Sequence, residues 1–488
     1  MLAIFPSAVP AILPEILLLV LGILVLVADP FWKKDESRRA GLGWLTTCGL
    51  LAILVVTIFL ARPGSESQPF FGGMLRHDWL AFVFKIFFLF AALVTALFFV
   101  DTPPLNRRAE SYFLLLAATL GMCLMASAAD LVMLYLAIET TSIPLYILAG
   151  FLVRDEKSTE SGLKYMLFGA MTSAVLLYGL SLAFGFSGRT GLAELSASFV
   201  SFTPFAIGTI FLILVGLAFK VSLFPFHFWA PDVYEGSPTA VAGFLSTASK
   251  AAGFVALIRL FTTAFPALSK NWTWILAVLA ALTMTVGNLI ALAQLKDEGN
   301  IKRLLAYSSI AHAGYAMIGV VAFSEMGIAS TVFYLFAYLL TNLAAFGIII
   351  AISRVGGSDS IASFKGLSRR NPALALMMLV AFLSLSGMPP LGGFVAKVFV
   401  FIAAVEKGWI WLAVVGVLNS IIGLYTYLTV LKYAYLYRLE GEDEERHPVP
   451  LSRPRALALA VLTIGIIMIG VIIAPWFRMA MNAAAALF

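Results

Sequence analysis

Apolar runs of 18 residues or more recur from one end of this 488-residue chain to the other, and a run of that length spans the ~30 Å hydrocarbon layer of a bilayer. Water does not reach peptide groups in that layer, so each run must close its own backbone hydrogen bonds as a helix. Composition agrees. Charged residues make up 12% of the chain, against about 25% in soluble domains, and no polar stretch is long enough to build a separate soluble domain. The chain reads as one all-α polytopic membrane bundle. Fourteen helices are expected, at 10–30, 41–61, 79–100, 110–128, 130–152, 161–187, 204–224, 239–264, 272–295, 301–322, 327–354, 371–405, 409–437 and 456–476.

Basic residues set the expected orientation. Of the 32 lysines and arginines, 21 fall in loops on one side, among them Lys33, Lys34, Arg107, Arg154, Lys302, Arg303, Arg446 and Arg455. The opposite loops and the tail hold six: Arg62, Arg76, Arg189, Lys270, Lys407 and Arg478. The asymmetry predicts both termini on the non-cytoplasmic side. It also gives the net charge of +6 a source in loops, with no nucleic-acid site required. The first apolar run, Pro10 to Ala28, contains Glu15 and lacks a basic leader, so it reads as a retained helix. Cys48 and Cys123 both lie in apolar runs and read as buried packing residues, too few for the four thiolates an iron–sulfur cluster usually takes. The polar segment from Arg438 to Arg455, with the acidic run Glu442-Asp443-Glu444-Glu445, reads as a solvated cytoplasmic loop.

Five basic residues remain inside helices: Lys85, Lys220, Lys250, Arg259 and Lys397. Lys85 and Arg259 lie near helix ends, where snorkelling to the interface suffices to explain them. The other three are too deep for that. Two helices are expected to break within the layer, at Phe224-Pro225-Phe226-His227 and at Gly387-Met388-Pro389-Pro390-Leu391-Gly392-Gly393, because proline lacks an amide donor and clashes with the preceding turn. The breaks are 164 residues apart. Aligning them pairs helices four to eight with nine to thirteen, and because five is odd the second set must cross inverted. Broken segments at matching places in two inverted halves point to a transport path. The expected organisation is three N-terminal helices in 1–109, a first five-helix repeat in 110–264, an inverted second repeat in 265–438, and a loop with the last helix in 439–488.

Glu139 falls near mid-depth, where an ionisable group costs about 2.5–3.5 kcal/mol on insertion scales. It is therefore expected to face the bundle with a partner, and Lys220, five residues before Pro225, is the expected one. Lys250 and His312 each lie eleven residues into their helices, and Lys397 follows Pro390 by seven. Five ionisable groups at one depth predict a polar row along the membrane plane. Burial disfavours a charged lysine and a nearby carboxylate favours it, so such a lysine can change protonation as its partner moves. Carrying one charge across 100 mV takes about 2.3 kcal/mol, within what a buried ion pair can supply. The opposing reading is a set of pairs that only fixes helix register. His227, beside the first break, is expected either to feed protons inward or to bond a carbonyl freed at Pro225. No GxGxxG or Walker loop occurs, so neither a dinucleotide nor ATP is recognisably bound. Energy must come from a partner or an ion gradient.

The segment from Phe219 to Thr239, with Lys220 followed by Pro225-Phe226-His227-Phe228-Trp229-Ala230-Pro231-Asp232, resembles the signature of the antiporter-like subunits of respiratory complex I. That family has relatives in sodium/proton antiporters and membrane-bound hydrogenases. The continuation Asp232-Val233-Tyr234-Glu235-Gly236 is similar to its N-type branch, and Asn300 to His312 and Gly387-Met388-Pro389-Pro390 also match. The resemblance implies fourteen helices with two inverted five-helix repeats, and proton-pumping residues at Glu139, Lys220, Lys250 and Lys397. It implies a multi-pass protein of the bacterial inner membrane with no cofactor of its own. NADH, FMN, iron–sulfur clusters and quinone are expected in partner subunits of the complex. The chain ends soon after its last helix, unlike the largest antiporter-like subunit with its long lateral helix. A sodium/proton antiporter subunit and a structural membrane scaffold are the alternatives.

Overall fold

The computed structural model describes residues 5–32, 36–64, 68–296, 298–438 and 448–488. The apolar runs fold as helices α1 (Phe5–Trp32), α2 (Glu36–Leu60), α3 (Trp79–Val100), α4 (Ala109–Ser127), α5 (Leu131–Ala149) and α6 (Glu156–Ser187). A single turn, α7 (Leu192–Leu195), leads to α8 (Pro204–Val221), α9 (Trp229–Gly236), α10 (Thr239–Phe244), α11 (Lys250–Ala264) and α12 (Ser269–Ala293). There follow α13 (Ile301–Val321), α14 (Glu325–Gly356), the short α15 (Leu367–Arg370), α16 (Pro372–Ser386), α17 (Gly392–Glu406), α18 (Ile410–Tyr435), α19 (Arg453–Val471) and α20 (Ile473–Ala485). Among the described residues 13 helical stretches are long and apolar enough to cross a membrane. The run expected at 371–405 is the tandem α16–α17, interrupted at 387–391.

Side-chain caps fix where several helices start. Asp78, Asp130, Asn300 and Asn371 each accept a backbone N–H of the first turn, satisfying donors with no partner in the helix. Both predicted breaks are present. After Val221 the chain turns through Ser222, at φ 60°, and resumes at Trp229. After Ser386 it turns through Gly387, at φ 85°, a conformation open to glycine at no steric cost. A Cβ on Gly393 would sit 1.9 Å from the Ser384 carbonyl oxygen, so only glycine lets the two half-helices approach.

Four features depart from expectation. The run over 239–264 is not a uniform helix: a π turn, Leu245–Ser249, separates α10 from α11 directly before Lys250. The final helix stops at Val471, and α20 runs back against α14 and α3. An antiparallel hairpin, β1 (Gln68–Phe70) with β2 (Leu75–His77), precedes α3. Cys48 is exposed on the apolar flank, and only Cys123 is buried. Helix periodicity alone could not assign the faces of α2, which has no charged residue after Arg39. The acidic run at 442–445, with Lys33, Lys34 and Arg446, lies outside the described residues.

Burial is graded across the bundle. The stretch over 239–264 is buried throughout, and α13 and α14 nearly so, while α1, α5, α6, α12, α18 and α19 expose apolar flanks. Leu136, Ile143 and Ile147 of α5 and Leu167 and Met171 of α6 face outward, which suits contact with lipid or another membrane protein. The innermost helices are therefore those that carry Lys250 and His312.

Candidate proton-transfer site

Lys220, Lys250, His312 and Lys397 are all buried, at 2–6% exposure, on α8, α11, α13 and α17. Each ammonium is held by neutral groups. Lys220 donates to Ser142 Oγ at 2.7 Å. Lys250 donates to the carbonyl oxygen of Ser309 at 2.7 Å and also reaches the Ser309 hydroxyl. Lys397 donates to the Leu385 and Ser386 carbonyls at 3.2 and 3.0 Å and lies 4.9 Å over the Tyr315 ring. Those carbonyls belong to the last turn of α16, where the helix has oxygens left free and a partial negative charge. The second break thus makes the acceptor site for Lys397. Among the described residues none of the three lysines has a carboxylate within 4.0 Å.

The expected Glu139–Lys220 ion pair is not formed. Glu139 is half-buried at the flank of the bundle, and its carboxylate accepts a close hydrogen bond from Ser173 of α6. Ser142, three residues further along α5, faces α8 and takes the lysine in its place. The reason is helical geometry: residues three apart share a face but lie one turn apart in height, and here the turn nearer α8 carries Ser142.

From Lys220 the row continues inward. The Lys220 stem packs on Gly253, one turn beyond Lys250, where an added Cβ would meet it at 3.0 Å. His312 follows, with Nδ1 2.7 Å from the Tyr334 hydroxyl and Nε2 3.2 Å from that of Tyr427. Its ring stacks on Tyr338 at 4.9 Å, and both Lys250 and Lys397 are near enough for their charges to act on it. A cavity of about 10 Å³ is lined by His312, Tyr334, Thr341, Ser384, Ala396 and Leu385, whose carbonyl accepts from Lys397. That is roughly the room one water needs. His227 is buried between Phe224 and Phe228 with Nδ1 unpartnered among the described residues. Pro225, Pro389 and Pro390 lie in the two breaks.

Snorkelling does not explain Lys85 and Arg259. Lys85 is buried against Glu15 at 2.7 Å and donates to the Ala11 carbonyl at 2.6 Å. Arg259 grips Asp78 through two bonds of 2.9 and 2.8 Å, both side chains almost wholly buried. Burial alone would raise the Asp78 carboxyl, yet the charge and hydrogen bonds of Arg259 hold it below the usual range. Carboxylates on neighbouring helices took the place of the interface, and position along a helix cannot reveal them. Sequence reasoning also missed the tyrosines around His312, because an aromatic residue in an apolar run reads as packing.

At one end of the bundle a second charged cluster joins three helices. Asp232 of α9 meets Lys164 and Arg303 at 2.7 Å each, and Glu235 meets Lys157 and Arg303 at 2.9 and 3.0 Å. Partial burial would raise both carboxyls, but these bonds hold Asp232 and Glu235 below the usual range. The signature segment is thus tied to α6 and α13, and an open cavity of about 660 Å³ adjoins it, lined by Asp101, Glu235, Lys302, Asp359 and Arg455 among others.

Residues 128–423 match the family model described as NADH:quinone oxidoreductase/Mrp antiporter, TM. The NADH-quinone oxidoreductase subunit N of Heliobacterium modesticaldum is 41% identical over 477 residues, covering 97% of this chain and 98% of that one. A chain of respiratory complex I from Thermus thermophilus superposes with a TM-score of 0.80 at 34% identity, over 95% of this chain and 98% of the other. A chain of the Mrp complex from Dietzia sp. shares the fold, with a TM-score of 0.83 at 22% identity over 98% and 97% of the two chains. The chain belongs to the NADH:quinone oxidoreductase/Mrp antiporter membrane family, as an antiporter-like subunit of the N type.

Proposed function

We propose that this chain translocates protons as a non-redox membrane subunit of an NADH–quinone oxidoreductase. The observation that carries the proposal is the trio of buried lysines, Lys220, Lys250 and Lys397, held by hydroxyls and carbonyls with no carboxylate in ion-pair contact among the described residues. A purely structural cation in such surroundings would be costly, whereas a group that accepts and releases a proton is suited to them. NADH, FMN, iron–sulfur clusters and quinone belong in this reading to partner subunits. Redox work there shifts Glu139 relative to Lys220, drawing the carboxylate toward the ammonium or away from it. The change in charge passes along Lys250 and His312 to Lys397. The names of the relatives support the assignment to complex I.

The same reading takes helices four to eight and nine to thirteen as inverted repeats. The matching breaks at α8–α9 and α16–α17, each beside a buried lysine, support it. It also takes the end bearing Lys157, Lys164 and Arg303 as cytoplasmic in a bacterial inner membrane, as the basic-residue bias suggests. In the assembled complex, Glu139→Gln or Lys220→Met is expected to preserve assembly and strongly reduce coupled proton pumping in proteoliposomes. Normal pumping in both variants refutes the mechanism. The likeness to the Mrp chain favours a second reading, a subunit of a sodium/proton antiporter. Purification in mild detergent separates the two: flavin and iron–sulfur proteins accompany the chain in the first case and not in the second.

A further inference from the structure

The hydroxyl of Tyr427 touches two groups at once: the Ser308 hydroxyl at 2.5 Å and His312 Nε2 at 3.2 Å. His312 Nδ1 lies 2.7 Å from the Tyr334 hydroxyl. Ser308 adjoins Ser309, which holds Lys250, and Tyr334 lines the small cavity shared by His312 and by Leu385, an acceptor of Lys397. The four side chains come from three helices, α13, α14 and α18.

Each of these hydroxyls has one proton to give, and a neutral imidazole has one N–H and one bare nitrogen. The contacts therefore admit two consistent arrangements. In one, Ser308 donates to Tyr427, Tyr427 to Nε2, and Nδ1–H to Tyr334. In the other every donation is reversed, with Nε2–H donating to Tyr427 and Tyr334 to Nδ1. We propose that Ser308, Tyr427, His312 and Tyr334 form a hydrogen-bonded chain with two opposite polarities, and that Tyr427 is the link through which it reverses. This rests on the proton-translocating reading above.

The proton balance is simple. A proton given to Ser308 Oγ from the Lys250 side displaces the Ser308 proton to Tyr427. The Tyr427 proton moves to Nε2, the Nδ1 proton to Tyr334, and the Tyr334 proton to the cavity beside Lys397. One proton enters, one leaves, and His312 begins and ends neutral with its tautomer exchanged. Hydroxyls can then reset by rotating, but the imidazole cannot: it must lose a proton at Nε2 and gain one at Nδ1. A second proton cannot follow in the same direction until that has happened, so the chain passes protons singly and does not leak.

The test uses the whole complex in proteoliposomes. Tyr427→Phe keeps the ring that packs edge-on to Phe382 at 6.1 Å and removes the link. Coupled pumping is expected to fall by about 100-fold, the lower end of what a positioned proton donor contributes. Pumping at the native rate overturns the chain. Lys250→Met is measured alongside. If it abolishes pumping while Tyr427→Phe does not, only the chain is wrong; if neither matters, the proton-translocating reading itself fails. Should Tyr427→Phe not assemble, 3,5-difluorotyrosine at 427 keeps the hydroxyl and makes it more acidic. The pH profile of pumping is then expected to move toward acid, and an unmoved profile overturns the proposal.

Discussion

Two groups of buried cations occupy the same bundle and are held by different chemistry. Toward the end of the bundle that bears the β hairpin, and among the N-terminal helices, Arg259 and Lys85 are matched by Asp78 and Glu15. Along the central row, Lys220, Lys250 and Lys397 rest on serine hydroxyls and backbone carbonyls. A matched pair stabilises both of its charges and resists a change in either. A lysine on neutral acceptors can lose a proton and stay bonded: a neutral amine keeps two N–H donors for the two carbonyls at Lys397, and at Lys220 and Lys250 a serine hydroxyl can turn to donate where it had accepted. The residue type alone therefore does not mark a proton carrier. The partner does.

The largest effect that separates the two regions is on pumping. Lys250→Met is expected to abolish coupled proton transport, by about 100-fold or more, while the double variant Glu15→Gln with Lys85→Met leaves it near normal. Loss of transport in the double variant would erase the distinction. Next is stability. Arg259→Met alone leaves the buried Asp78 with only Arg76, at 3.4 Å, as a cation among the described residues and should cost about 3 kcal/mol, whereas Arg259→Met with Asp78→Asn should recover most of that; melting in detergent reports both. Gly393→Ala is expected to cost about 1–3 kcal/mol, because its Cβ would strike the Ser384 carbonyl. It should disturb the acceptor site of Lys397 as well, so a variant that melts and pumps as native would show the second break to be pliant.

The smallest effect is a pH dependence near the matched pairs. Burial, aided by the charge of Lys85, lowers His77 from its usual 6.5 to about 4. A histidine with a lowered folded value contributes stability above the unfolded value, and loses it as pH falls from about 6.5 through 4. The melting temperature should therefore drop over that window, and His77→Gln should flatten the slope. An equal slope in the variant would assign the loss to other groups.

Much of the row was legible in the sequence because depth is counted along a helix. Eleven residues at about 1.5 Å each carry Lys250 and His312 toward the middle of the layer, and proline chemistry located both breaks. The Ser142 contact was not legible, nor the rotation of Glu139 toward Ser173, nor the π turn before Lys250. Each depends on which face of one helix meets which face of another. In runs apolar on every side no polar stripe announces that choice. The Glu15–Lys85 pair joins residues 70 positions apart, and the Arg259–Asp78 pair joins residues 181 apart. No local pattern reports such contacts.

The order of apolar and polar residues by itself determined that this chain is a many-helix membrane protein, where its helices break, and which ionisable groups lie deep. All three follow from solvation of the chain in the membrane, which acts along the sequence and must be satisfied segment by segment. Tertiary structure alone decided which of those groups are neutralised by carboxylates and which rest on neutral oxygens. That outcome turns on distances of a few ångströms between helices, over which a buried charge either finds its opposite or does not.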